Sequence, residues 1–581
     1  MANETREDIP TSQNSTGQNS TIITGIDRHN LAAGSSLGKE NGPNTSLEKG
    51  PNEQSITYQY LTFETPILEP RPTALRDNGS ELIPVFPDLN RYESPFMWSS
   101  TRKTTTLVLC CTATLCSAYS AGAYFLPSAA LEKKWGLSPV AFSTGVTTWA
   151  VGFALSPMIL APFSELNGRK PVFTGSGVLF IVALLGCALT DSFAGMLVAR
   201  FFVGAGASTF ATMVGGVISD IYHSEVRNTP MALYSGAALA GTGLGPMVSG
   251  FIAEHLPWRW VFYMQVIVFG VVVVIVIVFF KETRGSVLLS RKAKVLNTYL
   301  EKLEKAGVLP SPSEICLPQR GAENEHLPES AQPMRKRLRY KVAADENRSS
   351  VGKLIYLSLT IPIHLLLTEP VVFFFSLWVA FVWGVLYMSF DDIPLVFAAR
   401  GFNTEQIGAV YASIAIGSVL GATLSIYQEK VAKRYWKHLT TTPEGRLYFA
   451  CVESALFPLG LFWFGWTSFS SIPWIVPVLA LGCAQVGIFS IYLAVFNYLA
   501  DVYHRYASSA LAAQSFCRNI FAAIFPLFTE AMFKRLGTPG ALSLLGGVSV
   551  LLTVVPWVLV FFGPRIRARS RIASEILVHG S

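Results

Sequence analysis

Long apolar runs separated by short polar breaks dominate this chain from about residue 105 to residue 562. A helix that crosses the hydrocarbon core of a bilayer needs about 20 mostly apolar residues. Twelve runs meet that length, although Glu453 interrupts the ninth and Arg518 and Glu530 interrupt the eleventh. The pattern predicts an all-α membrane protein with twelve transmembrane helices, at about 105–127, 142–162, 172–190, 195–217, 231–253, 260–280, 371–397, 406–428, 446–466, 474–499, 508–532 and 541–562.

A long polar segment divides the twelve runs into two groups of six. Two groups of six helices joined by a linker are typical of transporters built from a duplicated repeat, so we predict two six-helix bundles. The predicted parts are a disordered cytosolic N-terminal tail, an N-terminal bundle, a cytosolic linker, a C-terminal bundle and a basic cytosolic tail, at 1–103, 104–281, 282–369, 370–563 and 564–581.

The first part of the linker has leucines at helical spacing. Leu289, Leu296, Leu300 and Leu303 fall near one face of a helix, and basic residues fall largely on the other face. This spacing predicts an amphipathic helix that lies against the cytosolic membrane face or against the ends of the spans. The alternative is a solvated surface helix.

The composition excludes an ordinary soluble domain. Of the 581 residues, 51% are hydrophobic and 14% are charged, and the mean hydropathy is +0.40. The first hundred residues are polar instead and lack the apolar stretch of a signal peptide. Because such a segment buries too little apolar area to offset the entropy of ordering, it predicts a disordered tail.

The basic residues predict how the chain is oriented in the membrane. Most Lys and Arg outside the apolar runs fall in one set of alternate loops and in the two tails. The positive-inside rule therefore places both termini in the cytosol. The net charge of +7 and the ladder of Arg565, Arg567, Arg569 and Arg571 then reflect contact with anionic lipid headgroups rather than with nucleic acid.

No motif of this chain indicates catalysis, a metal or a cofactor. Seven of the eight cysteines fall inside apolar runs, and none has the spacing of metal ligands. The sequence contains neither a His-Glu-x-x-His motif, nor a Gly-x-Ser-x-Gly motif, nor an ATP-binding P-loop. We therefore expect neither an enzyme nor an ATP-driven pump, and we expect no metal site, no cofactor and no catalytic residue.

A ten-residue hinge between the second and third runs has a defined pattern. In Ala161-Pro-Phe-Ser-Glu-Leu-Asn-Gly-Arg-Lys170, an acid, a glycine and a basic pair stand at fixed offsets. Gly168 suits a turn that needs a permissive backbone. Glu165, at the membrane boundary, can accept hydrogen bonds from a helix N-terminus, and Arg169 can pair with Asp220 at the end of the fourth run. The alternative is an ordinary loop whose charges only anchor the topology.

Several motifs together resemble the major facilitator superfamily. The hinge resembles its loop signature G-x-L-a-D-x-x-G-R-K, and further similar segments follow in the same order as in the fungal twelve-span drug:proton antiporters. These segments are Leu197-Val-Ala-Arg-Phe-Phe-Val-Gly-Ala-Gly-Ala207, Gly241-Thr-Gly-Leu-Gly-Pro-Met-Val-Ser-Gly250, Trp258-Arg-Trp-Val-Phe-Tyr263, Glu369-Pro, Tyr387-Met-Ser-Phe-Asp-Asp-Ile-Pro394, Pro443-Glu-Gly-Arg446 and Asn497-Tyr-Leu-Ala-Asp501. The resemblance covers about residues 100–565.

The resemblance implies roles for two groups of residues. Glu165, Gly168, Arg169, Lys170 and Asp220 form a cytosolic gate, in which Glu165 meets the start of the eleventh helix near Ser508. The antiporter helix motif comprises Gly241, Gly245, Pro246 and Gly250, whose small residues let helices approach closely while the proline kinks the helix. General helix packing is the alternative for this second group.

Arg200 and Asp391 are the sharpest candidates for proton and substrate coupling. A charge inside a spanning helix costs at least about 2.5–3.5 kcal/mol, so it usually faces protein or water. Both residues fall roughly 9–12 Å outside the membrane midplane, at similar depth. In the family, helices one, four, seven and ten line the central chamber, so both residues can face it. The alternatives are a static ion pair for Arg200 and a carboxylate that reaches the outer boundary for Asp391; Asp392 is the less favoured acid.

Polar and aromatic residues in the apolar runs are candidates for binding a ligand. Tyr119, Tyr124, Tyr387, Asn497 and Gln514 can offer stacking and hydrogen bonds, although packing is the usual role of such aromatics. Other candidates for the coupling group are Glu453, Arg518 and Glu530. The first run has no acid, unlike that of some bacterial relatives, which puts a simple transfer of their mechanism in doubt.

These observations lead to one function hypothesis with alternatives. We expect a monomeric, multi-pass secondary active transporter of the plasma membrane that exports small hydrophobic organic molecules, such as drugs, fungicides or secondary metabolites, in exchange for protons by alternating access. Its expected partners are the small-molecule substrate, protons and the lipid bilayer, with no nucleic acid. The alternatives are polyamine export, proton-coupled import of an organic acid, and a membrane sensor that does not transport.

Overall fold

The structure is a computed structural model that describes residues 56–67, 85–305, 337–346, 351–435, 442, 444–503 and 506–570. Predictions for residues 1–55 and 68–84 of the N-terminal tail, for residues 306–336 and 347–350 of the linker and for residues 571–581 of the basic tail lie outside these ranges.

Long apolar helices make up most of the described chain. Eleven helices within the described residues are long and apolar enough to cross a membrane, which confirms the predicted all-α membrane fold. The first ten are Ser100–Gly122, Pro139–Asn167, Arg169–Leu189, Phe193–Ile221, Asn228–His255, Arg259–Phe279, Pro370–Ala398, Thr404–Tyr435, Leu447–Trp466 and Ile475–Tyr503. We number them as the first to the tenth span.

The last apolar helix, Ala507–Arg569, is long enough for two crossings. Gly537 interrupts it near its middle with φ 69° and ψ 162°, in the left-handed region that glycine adopts without steric cost. Each part exceeds the roughly 20 residues that one crossing needs. We call these parts the eleventh and twelfth spans, and the predicted count of twelve depends on dividing the helix at Gly537.

The two halves of the chain repeat the same neighbour relations. In the N-terminal half the first span packs on the fifth, the second on the fourth, and the third on the sixth. In the C-terminal half the seventh span packs on the last helix, the eighth on the tenth, and the ninth on the last helix. The fold therefore contains two related bundles, which meet mainly where the fifth span packs on the eighth and the second packs on the last helix.

The end of the bundles at which the first and seventh spans begin also carries the linker. We call this end the linker face and the other end the opposite face. The predicted amphipathic helix is present at Gly285–Lys305, with Leu296, Leu300 and Leu303 buried and Leu289 partly buried.

Part of the N-terminal tail is ordered, which corrects the prediction of disorder through residue 103. Strand β1, Ile56–Tyr60, pairs in parallel with strand β2 of the linker, Arg337–Lys341. Leu61 packs with β2 and the linker helix in a small separate core. Arg339 donates two hydrogen bonds to Glu304, at 2.6 and 2.8 Å, and lowers the pKa of that carboxyl below its ordinary value. The tail folds here because the linker supplies the apolar partner that the tail alone lacks.

A second linker helix connects the two halves at the linker face. Val351–Thr368 contacts the second span of the N-terminal half and the last helix of the C-terminal half. The sequence assigned this segment to the linker without a helix. Its mostly apolar sequence and its exposed Tyr356, Leu359 and Ile363 suit a position beside the membrane.

We expect Gly204→Ala to destabilise the protein, because a Cβ at Gly204 would lie 2.0 Å from the carbonyl oxygen of Trp149. Overpacking of this kind costs about 1–3 kcal/mol. The matched control is Gly270→Ala, since no atom lies within 4 Å of a Cβ at Gly270. Thermal unfolding of the purified protein in detergent should show a lower midpoint for Gly204→Ala only. Equal midpoints for the two variants would contradict the close contact between the second and fourth spans.

Candidate transport pathway

The hinge at Ala161–Lys170 is joined to the ends of two other spans. Arg169 is 5% exposed, and its Nε donates to Asp220 at 3.2 Å, as the sequence suggested. Arg284, just after the sixth span, donates to the other oxygen of Asp220 at 3.3 Å. One carboxylate therefore ties the hinge, the fourth span and the start of the linker together.

Glu282 holds the N-terminus of the third span. Its carboxylate accepts hydrogen bonds from the backbone N–H of Arg169 at 2.8 Å and of Lys170 at 3.2 Å. The anion suits this place because a helix N-terminus has a partial positive charge. Gly168 lies beside it with φ 103°, and a Cβ there would lie 2.2 Å from Glu282 Oε2. A residue with a side chain at position 168 would therefore have a strained backbone and would collide with the Glu282 carboxylate.

Sequence reasoning missed Glu282. It lies 113 positions from Arg169 and reads as one acid in a charged loop. The available signal was its place directly after the sixth apolar run, on the face where the third span begins.

Glu165 does not make the contact expected of it. Its side chain is exposed, and within the described residues it has no hydrogen bond or ion pair with the start of the last helix. The acid that this structure uses at a helix start in the hinge is Glu282.

The antiporter helix motif places the fifth span against two neighbours at backbone distance. A Cβ at Gly241 would lie 2.6 Å from the carbonyl oxygen of Leu115, and one at Gly245 would lie 2.4 Å from that of Tyr119, both in the first span. A Cβ at Gly250 would lie 2.8 Å from the carbonyl oxygen of Thr404 at the start of the eighth span. The motif therefore packs on its own half and on the other half at once.

Pro246 lies inside the fifth span without ending it. The helix Asn228–His255 is continuous through the proline. The proline ring lies against the first span, where a Cβ at Gly122 would come within 2.6 Å of Pro246 Cδ. This close contact therefore needs Gly122 in the first span, as it needs Gly245 in the fifth span.

Arg200 is buried within the N-terminal half. It is 1% exposed, and it donates to the carbonyl oxygens of Gly145 at 3.2 Å and Ser120 at 3.1 Å. Its guanidinium also lies 4.4 Å from the ring centre of Tyr124. These contacts join the second and first spans to the fourth. No ion pair within the described residues joins Arg200 to Asp391.

Asp391 and Asp392 lie in the part of the seventh span near the opposite face. Asp391 Oδ2 and Asp392 Oδ1 are buried and have no hydrogen-bond partner within the described residues. The charged groups that interact with Asp391 are the acids Glu132 and Glu530. In the loop helix Ser128–Trp135, partial burial and then the charge of Glu530 raise the pKa of Glu132 above its ordinary value. Four acids thus lie close together, and of these Glu530 is paired with a cation, Lys534.

The candidate aromatic residues lie in packed positions near the centre. Tyr387 is 2% exposed and stacks on Trp149 with ring centres 6.5 Å apart, across the two halves. Tyr119 contacts Phe269 edge-on at 5.3 Å, inside the N-terminal half. Tyr124 stacks on Phe142 at 4.6 Å.

Asn497 lines a cavity of about 270 Å³ between the halves at the linker face. Its Nδ2 donates to Asn228 Oδ1 at 2.8 Å, across the two halves. Three acids also line the cavity, Glu225, Glu429 and Glu453. Glu429 pairs with Lys433 at 2.7 Å, and Glu453 accepts from Ser490 at 2.6 Å and from Gln428. Gln514 is buried elsewhere, in the eleventh span.

The halves are in contact at the opposite face. The rings of Phe125 and Phe390 lie 4.6 Å apart, and Thr147 donates to the carbonyl oxygen of Ala523 at 2.8 Å. At another edge of the same face, His255 Nε2 at the end of the fifth span and Glu405 Oε2 at the start of the eighth lie 2.9 Å apart. The central residues are therefore covered on the opposite face, whereas the cavity lies on the linker face.

The remaining sequence candidates have different surroundings. Glu530 pairs with Lys534 one turn away. Arg518 is buried at 4% exposure between two aromatic rings and has no acidic partner within the described residues. No group of His, Cys, Asp or Glu in the described part of the chain is arranged to hold a metal ion.

Comparisons with known proteins agree on one family. Residues 108–526 match the model of the Major Facilitator Superfamily. The chain is 33% identical to "Efflux pump atB" of Aspergillus terreus over 76% of this chain and 86% of that protein. It is 31% identical to "Major facilitator superfamily multidrug transporter mdrA" of Aspergillus fumigatus, over 84% of this chain and 75% of that protein.

A solved structure has the same fold at low sequence identity. The proton:xylose symporter XylE from E. coli aligns with a TM-score of 0.54 and 15% identity, over 80% of this chain and 97% of that chain. This similarity concerns the fold alone.

We expect Asp220→Asn to destabilise the protein strongly. The change keeps the shape of the side chain but leaves the largely buried Arg169 without its counter-ion and weakens the hold on Arg284. Breaking a buried pair by removing one partner costs about 3–5 kcal/mol. Glu165→Gln is the matched control in the same hinge, because Glu165 is exposed. Thermal unfolding in detergent should separate the two variants, and an unchanged midpoint for Asp220→Asn would refute the role given to this carboxylate.

Proposed function

Because the chain belongs to the Major Facilitator Superfamily, we propose that it is a proton-coupled antiporter that exports small hydrophobic organic molecules by alternating access. The named relatives of similar length, an efflux pump and a multidrug transporter, support export rather than uptake.

The observation that carries this proposal is the asymmetry between the two faces. The halves pack through the rings of Phe125 and Phe390 at the opposite face, whereas at the linker face they leave a cavity beside the hydrogen bonds that Asn228 makes with Asn497 and Glu429. An alternating-access transporter needs such a state, in which a central site is closed to one side and reached from the other. If the linker face is cytosolic, as the basic loops indicate, this is the state that loads a substrate for export.

Proton coupling rests on Asp391 and Asp392. A buried carboxylate with no cation beside it is costly when charged, so binding a proton relieves the cost. Both lie close to the face that the structure closes, with an unsatisfied oxygen each. When the halves open on that face, the acids gain access to the external side and its protons.

The proposal also includes the setting of the protein. We place it in the plasma membrane as a monomer, since export from a cell requires that membrane, and the positive-inside rule supports both termini in the cytosol. Of the residues expected to form a cytosolic gate, Gly168, Arg169, Lys170 and Asp220 then act on the cytosolic side together with Glu282, as a brace of the N-terminal half, whereas Glu165 lacks the contact expected of it.

Polyamine export is the second candidate, because three acids line the cavity at the linker face. Two of them already have partners in this structure, Glu429 with Lys433 and Glu453 with Ser490 and Gln428. The Lys433 ammonium offsets the charge of Glu429, so the cavity offers a polyamine less net negative charge than three acids suggest, and we prefer a largely hydrophobic substrate.

Export by an efflux-deficient yeast expressing the full chain tests the proposal. Accumulation of a panel of hydrophobic drugs is measured at two external pH values, with and without the protein. We expect lower accumulation with the protein and a larger difference at acidic external pH, where the inward proton gradient is larger. In the double variant Asp391→Asn, Asp392→Asn, export should lose its pH dependence, because an amide cannot carry the proton.

Asp191→Asn is the control, since Asp191 is an exposed acid that pairs with Lys134 and Arg259 in a loop at the same face. It should retain export and its pH dependence, because exposed ion pairs contribute little. Export that keeps its full pH dependence in the double variant of Asp391 and Asp392 would show that the proton passes elsewhere.

A further inference from the structure

Arg518 differs from the other buried arginines of the described chain. Three arginines are buried there, Arg169, Arg200 and Arg518. Arg169 is bound by Asp220, and Arg200 donates to two backbone carbonyl oxygens. Arg518 is 4% exposed, its Nε has no partner, and its guanidinium makes no hydrogen bond or ion pair with any described residue.

Two aromatic rings hold the guanidinium in place without neutralising it. Its central carbon lies 4.4 Å from the ring centre of Trp383 and 5.2 Å from that of Tyr492. Cation–π attraction is weaker than the cost of removing a charge from water, so it does not replace a counter-ion. The five N–H donors of an arginine suit a planar anion that approaches from the side not covered by the rings.

The neighbourhood of Arg518 offers hydroxyl groups but no acid of its own. The phenols of Tyr234 and Tyr387 lie within electrostatic range of the guanidinium. The acids Asp391 and Asp392 interact instead with each other and with Glu132 and Glu530. The local charge around Arg518 is therefore positive, and the phenol of Tyr387 is a nearby donor, whereas that of Tyr234 already donates to the carbonyl oxygen of Ala211.

This position also lies where the two halves meet. Trp383, Tyr492 and Arg518 belong to the seventh, tenth and eleventh spans of the C-terminal half, and Tyr234 belongs to the fifth span of the N-terminal half. Tyr387 stacks on Trp149 of the N-terminal half. A molecule bound between the halves would thus meet Arg518 and aromatic surface together.

We propose that Arg518 is an anion-binding residue at the contact between the two halves, and that the substrates include small organic acids with an aromatic or apolar body. The carboxylate takes the N–H donors of Arg518, and the apolar body lies along the neighbouring rings. This proposal deepens the proposed function, on which it rests for the direction of transport. It also disfavours polyamines, because a polycation at this position would be repelled by Arg518.

The proposal predicts a preference between two molecules of nearly the same shape. We use 2-naphthoate, which is an anion at neutral pH, and 2-naphthamide, which is neutral. Isothermal titration of the purified full-length chain in detergent measures both affinities. The wild-type chain should bind naphthoate at least about tenfold more tightly than naphthamide, which corresponds to about 1.4 kcal/mol.

Substitutions at Arg518 should remove this preference. In Arg518→Gln, naphthoate affinity should fall by about tenfold or more while naphthamide affinity stays unchanged. Arg518→Lys keeps the charge but loses the paired donors, so it should show an intermediate loss for naphthoate only. Naphthamide binding shows that the rest of the binding site is intact. A variant that has lost its structure would bind neither ligand, whereas a variant that has lost only the anion site would still bind naphthamide.

Lys534→Gln is the matched control, because it removes a positive charge from the same span at an exposed position. It should bind naphthoate as the wild type does. Three results overturn the proposal: no naphthoate binding to the wild-type chain, equal affinity for the two ligands, or unchanged naphthoate affinity in Arg518→Gln. The binding measurement uses no proton gradient. The anion site can therefore be refuted while pH-dependent export of neutral drugs is observed, and naphthoate binding can be observed while pH-dependent export is refuted.

Discussion

The backbone contact of the fifth span with both the first and the eighth span is the constraint on which the rest of the structure depends. Gly241 and Gly245 bring the first span to backbone distance, and Gly250 does the same for the eighth. Without a hydrophobic driving force between helices in lipid, such close packing is what holds spans together. Because one helix packs on both halves, it fixes where they meet and leaves the aromatic centre covered on the opposite face.

The buried charged residues fall into two groups, those that have a partner within the protein and those that lack one. Asp220 and Glu282 are bound on several sides, and they hold the hinge, the fourth span and the end of the sixth span in one unit. Arg200 is bound by backbone carbonyl oxygens and also stays within one half. Asp391, Asp392 and Arg518 lack such partners. The first group connects elements within one half, whereas the second group has the unsatisfied buried atoms on which the proposed proton site and substrate site rest.

Much of the architecture could be predicted from the sequence because membrane crossing imposes a length and a composition on each span. The pairing of Arg169 with Asp220 was also within reach, since both fall at the same membrane boundary. Glu282 was missed because its partner is remote in the chain, and the strand Ile56–Tyr60 was missed because its apolar partners belong to the linker. Arg518 was ranked below Asp391 because the sequence does not show which residues surround it. Only the folded structure shows that no acid lies beside it. Charges can be read from a sequence, but their partners depend on packing.

The central claim is that substrate export is exchanged for protons. The most direct measurement uses proteoliposomes that contain the purified full chain and a pH-sensitive dye, with a hydrophobic substrate gradient as the sole driving force. We expect a proton flux that depends on the substrate and runs in the direction opposite to the substrate movement. Substrate movement without any proton flux, or with a flux in the same direction, would contradict it.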